Sequence, residues 1–116
     1  MIAPGDVLRI LKAIHAGRGN GVTAETLTME IHGRANPAAV RALRAAIEEL
    51  RLGGEPVCGK PQTGYYYSDD PVDIQETIDF LRSRAMTTLV QLKPLKRRLA
   101  RARRGQMTLF TTGDVR

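Results

Sequence analysis

The sequence predicts a mostly α-helical fold with one small β-hairpin and a long C-terminal helix. Apolar residues recur at helical spacing in four separate segments, and one stretch of strand-forming tyrosines lies between glycine-containing turns. With no Trp, three Tyr and two Phe, the core must be built mainly from Leu, Ile, Val and Ala, a composition that favours helices. A chain of 116 residues is long enough for one ordinary core and too short for two. One small domain with appendages is therefore expected.

The first helix lies in "PGDVLRILKAIHAG", where Val7, Ile10, Leu11 and Ile14 share a face at i, i+3, i+4 and i+7 and Gly17 provides a stop. After the glycine-rich "GRGNG", the segment "VTAETLTMEIHG" offers Thr23 as a cap, with Val22 and Leu27 spaced as a hydrophobic staple. This short second helix ends near Gly33. The third, "NPAAVRALRAAIEELRLGG", opens with Asn36 as cap and Pro37 at the first helical position. It buries Val40, Leu43, Ile47 and Leu50 on one stripe and stops at Gly53 and Gly54.

"EPVCGKPQTGYYYSD" then reads as two short strands about a Gly- and Pro-containing connection. A last helix restarts in "DDPVDIQETIDF", with Asp70 as cap, Pro71 at the first position and Asp73 in the first turn. Its periodicity continues to about Arg104 along a seam of alternating four- and three-residue steps: Ile74, Ile78, Leu81, Ala85, Thr88, Leu92, Leu95, Leu99 and Ala102. That spacing belongs to a helix packing lengthwise on another helix. Packing on the chain's own domain and pairing with a second copy produce the same stripe, so a homodimer through the 74–102 seam stands beside a fold-back. Pro94 removes one backbone hydrogen bond and should kink or split the helix. The organisation expected is a domain over 1–69, a long basic helix over 70–104 and a flexible tail over 105–116.

The net charge of +6 is unevenly spread. Residues 1–52 carry 7 basic and 5 acidic side chains, 53–79 carry 1 and 6, and 80–116 carry 10 and 1. A cationic C-terminal third suits a polyanion or an acidic protein surface. The single Cys58 excludes an intramolecular disulfide, and no apolar run is long enough to cross a bilayer. The expected setting is a reducing cytoplasm, with no secretion signal and no membrane partner.

The order helix, helix, helix, hairpin, helix, carried by "VTAETLTMEIHG", "VRALRAAIEELRLGGEPVCG" and "TGYYY", resembles a winged helix-turn-helix domain. The likeness covers about residues 6–68 and is to the modules of bacterial repressors and small phage or prophage proteins. In that family the third helix enters the major groove of double-stranded DNA and the wing touches backbone or minor groove. The resemblance implies that Asn36, Arg41 and Arg44 face outward towards DNA and that Lys60 sits at the wing tip. Ala38, Ala39, Ala42 and Ala45 are expected at the other exposed positions of this helix, where they read little sequence. The alternative for Arg41 and Arg44 is a solvated face, with Glu48 near Arg44 at i, i+4.

Within "KPLKRRLARARR", Lys93, Lys96, Arg97, Arg98, Arg101, Arg103 and Arg104 occur without one acid. A phosphate-binding arm, a membrane-surface helix and a solvated face opposite a packing seam compete. The scarcity of bulky apolar residues disfavours the membrane, and phosphate contact is favoured. Directly after this run, "QMTLF" has the pattern Gln-x-x-Leu-Phe. It resembles the peptide with which bacterial polymerases, repair proteins and some phage proteins dock on the replicative sliding clamp. That resemblance makes Gln106 the polar contact and Leu109 and Phe110 the anchors. The alternative is a tail that tucks Leu109 and Phe110 against its own core or a dimer mate.

No phosphate loop, paired-cysteine zinc site or metalloprotease motif occurs. Catalysis, a bound metal and a cofactor are therefore not expected, and His15 and His32 fit structural roles. Three functions remain: a DNA-binding adaptor tethered to the sliding clamp in replication or recombination, a dimeric winged-helix transcriptional repressor, and a protein-interaction module without DNA. Salt-resistant, sequence-selective binding favours the second. Indifference to charge reversal at Arg41 and Arg44 favours the third.

Overall fold

The computed structural model describes residues 2–111, with side chains through Gln106. Three helices, α1 (Pro4–Ile14), α2 (Ala24–His32) and α3 (Pro37–Leu52), precede a hairpin of β1 (Val57–Lys60) and β2 (Gly64–Tyr67), and α4 (Pro71–Thr111) follows. The molecule is thus mostly helical with one small hairpin and a long C-terminal helix. It divides into two compact units, residues 1–80 and 81–116.

The helix starts are chemically explicit. The Thr23 hydroxyl accepts from the Thr26 N–H at 3.1 Å, and the Asn36 side chain accepts from Ala39 at 2.8 Å. Asp70 accepts from Val72 at 2.9 Å. Each satisfies a donor that the first turn leaves without a helical partner. Gly33 closes α2 in the left-handed conformation.

Val7 and Leu11 of α1, Leu27 of α2 and Leu43 and Ile47 of α3 form the centre of the core. Ile14 departs from the expected stripe and is 56% exposed. The helix ends there, and His15 turns inward instead. Its Nδ1 lies 2.9 Å from the Asn20 carbonyl and its Nε2 2.8 Å from Glu30 Oε1, which ties the end of α1 to α2.

The hairpin pairs antiparallel, Val57 with Tyr67 through Lys60 with Gly64. Its second strand has a further neighbour that periodicity does not reveal. Val22 and Tyr65 exchange two backbone hydrogen bonds, at 2.9 and 2.8 Å, and Tyr67 bonds to His15 and Gly17. The outer edge of β2 is thereby covered by the loop between α1 and α2, which removes an exposed strand edge. Strand alternation then sorts the tyrosines. Tyr65 and Tyr67 pack on the helical core, whereas Tyr66 is buried on the other face, towards Cys58 and Asp73.

The first unit extends past the hairpin into α4. Thr77 is buried, its hydroxyl accepting from Gly59 N–H at 3.1 Å and donating to the Asp73 carbonyl at 3.1 Å. Asp73 also accepts from Ser68 at 2.8 Å. These contacts bind the first turns of α4 to the wing. In the second unit, α4 continues through Pro94 and on to Thr111, beyond the Arg104 limit of the sequence periodicity. Every side chain from Leu81 to Gln106 is exposed.

Candidate nucleic-acid interface

The Asn36 cap and Pro37 fix where α3 begins, and its buried side then fixes what faces out. Ala39, Val40, Leu43, Ala46, Ile47 and Leu50 are buried; Arg41 and Arg44 are exposed. Of the four alanines expected outside, Ala38 and Ala45 are exposed, but Ala39 is buried and Ala42 packs against the core. Both α1 and α2 contact α3, so its buried arc is wider than one stripe.

The anticipated Arg44–Glu48 pair does not form. Among the described residues neither Arg41 nor Arg44 has a carboxylate within 4.0 Å. Asn36 spends its carbonyl oxygen on the cap, which leaves its amide nitrogen as the group able to contact a base or phosphate. Arg34 is a further cation that no helical periodicity marks. It is exposed in the turn between α2 and α3, directly after the Gly33 cap and beside Asn36. Its position between the second and third helices is the signal that could have found it.

Lys60 closes β1 rather than standing clear of the protein. Its Nζ lies 3.4 Å from Glu76 Oε2, and Glu76 is also bound by Arg18. The connection is short, since Thr63 returns hydrogen bonds to Lys60 at 3.0 and 3.2 Å. Lys60 therefore presents a charge already shared with a carboxylate. Its nearest role is joining wing to α4.

The Arg18 hydrogen bond is the main reason that Glu76 titrates below the ordinary glutamate range, with Lys60 adding to it against some desolvation. A carboxylate held below its unfolded pKa stabilises the fold above that value and loses the contribution as pH falls through the folded one. Glu76→Gln is therefore expected to flatten the loss of thermal stability below about pH 4.3. Thermal melts of both proteins between neutral and acid pH check this; an unchanged acid limb would refute it.

In the second unit, residues 81–106 carry Arg82, Arg84, Lys93, Lys96, Arg97, Arg98, Arg101, Arg103 and Arg104 and no acid. All are exposed. Leu89, Leu92 and Ala100 make a shallow apolar hollow rimmed by Lys93, Lys96 and Arg97. Gln106 is exposed, and the backbone of "QMTLF" belongs to α4. The side chains of Leu109 and Phe110 lie outside the described residues.

Other chemistry-bearing groups are occupied structurally. Burial raises the Cys58 pKa, so this thiol is a poor nucleophile at neutral pH. Desolvation pushes the Tyr66 phenol up to about 12. Arg51 bridges α3 to the sheet, its Nε donating to the Val57 carbonyl at 2.7 Å. Among the described residues no group of three or more His, Cys, Asp or Glu is placed to hold a metal ion, and no helix is long and apolar enough to cross a membrane. No protein-family model matches this chain, and no curated protein or solved structure does.

Proposed function

We propose that the chain is a non-enzymatic, winged-helix DNA-binding adaptor of phage or prophage type that is tethered to the replicative sliding clamp during replication or recombination. The observation that carries this reading is the exposed, acid-free cationic stretch from Leu81 to Gln106. Arg41 and Arg44, exposed and without carboxylate partners, supply a second surface of the same sign on α3. Phosphates neutralise such surfaces and release counterions, giving binding that is strong at low salt and tolerant of sequence.

The clamp component rests on the residues "QMTLF". A ring that encircles DNA holds a docked peptide close to that DNA. Two weak attachments then reinforce each other through effective concentration. Extended docking requires the last turns of α4 to unwind, and Gly105 lowers that cost because glycine weakens a helix by about 1 kcal/mol relative to alanine.

The test compares wild type with a Leu109→Ala, Phe110→Ala double variant for binding to a purified bacterial sliding clamp by calorimetry. Wild type is expected to bind and the variant to lose at least about tenfold in affinity, since apolar anchors dominate such sites. Absence of wild-type binding would remove the clamp from the proposal. The repressor reading would then lead, supported by the exposed apolar residues of α4, which suit a dimer.

A further inference from the structure

Leu81, Leu92, Leu95 and Leu99 are between 40% and 63% exposed. Helices that stand alone in water are marginal, and their stability in proteins comes mainly from burying an apolar face. The spacing of the α4 face says what would bury it. Ile78, Ala85, Leu92 and Leu99 repeat every seven residues, and Ile74, Leu81, Thr88 and Leu95 form the interleaved set. These are the two core positions of a coiled coil.

We propose that α4 pairs with the α4 of a second copy of this chain, antiparallel, about a two-fold axis between Met86 and Thr87. In this register each residue of one set meets one of the other. Ile74 faces the partner's Leu99, Ile78 the partner's Leu95, Leu81 the partner's Leu92, and Ala85 the partner's Thr88. Large side chains meet large ones, and the two small ones meet at the centre. The Thr88 hydroxyl already donates to the Arg84 carbonyl at 3.0 Å, so its donor is satisfied when the pair closes. The interface is self-complementary, as a two-fold contact requires.

Two features keep the face available. Within the first unit α4 meets its own wing through Asp73, Glu76 and Thr77. At about 100° per residue, the centre of that contact lies roughly a third of a turn from the centre of the Ile74, Ile78 and Leu81 face, with Thr77 at the border between them. Pro94 and Val90, the residue whose carbonyl loses a helical donor to the proline, both lie on the side away from the seam.

Charge selects the direction. A parallel pair would lay two acid-free basic runs side by side, with Arg98 against the partner's Arg103. The antiparallel register places the centres of the two runs roughly 36 Å apart, several Debye lengths at physiological salt. It also brings Asp70, the cap of α4, level with the partner's Arg103. Lys96 and Arg98 come level with the partner's Thr77 and the partner's Gln75, both uncharged. The second copy is thus complementary to α4 in both apolar register and charge.

The experiment uses the full chain at physiological salt, without DNA or clamp, so its result is independent of the proposed function. Sedimentation equilibrium is expected to give twice the 12.8 kDa chain mass. Leu81→Asp with Leu92→Asp sets two like charges face to face in each of two layers and should weaken dimerisation by at least about 100-fold. Melting of the first unit should be unchanged, because both residues are exposed outside it. Under mild oxidation, a mixture of Ile78→Cys and Leu95→Cys chains should form a disulfide joining the two variants, with Cys58 remaining buried. A wild-type monomer at every concentration, or a dimer indifferent to the two aspartates, would overturn the proposal. A disulfide formed by the Leu95→Cys chain alone would show parallel pairing and overturn it too.

Discussion

Replacing Gly64 by alanine is expected to destabilise the first unit by about 3 kcal/mol, combining a left-handed backbone cost with a steric clash. Gly64 sits at φ +74°, and a Cβ there would lie 2.7 Å from the Val22 carbonyl oxygen and 2.9 Å from its nitrogen. These are backbone atoms of the pair that covers β2, so relief requires breaking the Val22–Tyr65 hydrogen bonds rather than turning a side chain. For a unit of this size the change corresponds to a fall in melting temperature of roughly 12–24 °C. Gly33→Ala is the control, because Gly33 has a similar φ of +79° but nothing within 4 Å of the added methyl. It should cost only the backbone component, about 1 kcal/mol. Urea or thermal unfolding of both variants separates conformational preference from close approach. Equal losses at the two sites would refute the steric account.

That close approach was the hardest part of the fold to find in the sequence. Helices were legible because their information is local: Thr23, Asn36 and Asp70 each cap by reaching two or three residues ahead, and the core residues of α3 recur on one side. The two-stranded hairpin was legible for the same reason. Val22 pairs with a strand residue more than forty positions away, however, and contributes only an isolated bridge with no strand pattern of its own. The burial of Ala39 and Ala42 was missed because alanine is compatible with either side of a helix, and two neighbouring helices widen the contact arc. At the candidate interface, the exposure of Arg41 and Arg44 followed from helical phase. The attachment of Lys60 to Glu76 did not, because it depends on how the first turns of α4 meet the wing. Glu76 is an exposed-type residue in the sequence and a junction in the structure.

Arg97→Gln, Arg98→Gln, Arg101→Gln and Arg103→Gln, made together, are expected to reduce affinity for a short duplex by two or more orders of magnitude at low salt and to lower the salt slope by roughly 3.6. All four side chains are exposed, so the variant should fold normally and lose charge alone. If all seven cations of residues 93–104 contact phosphate, wild-type affinity should fall roughly 6,000-fold between 50 and 200 mM salt, and the variant only about 40-fold. Arg41→Ala with Arg44→Ala makes a different prediction. Losing two phosphate contacts would lower the slope by about 1.8, whereas losing base contacts would reduce discrimination between duplex sequences with a smaller slope change. Fluorescence anisotropy across a salt series, with several duplex sequences, separates the two surfaces. Unaltered affinity in the four-arginine variant would leave α4 a solvated cationic helix and move DNA contact to α3. Unaltered affinity in both variants would favour the protein-interaction reading, in which the positive charge meets an acidic protein surface.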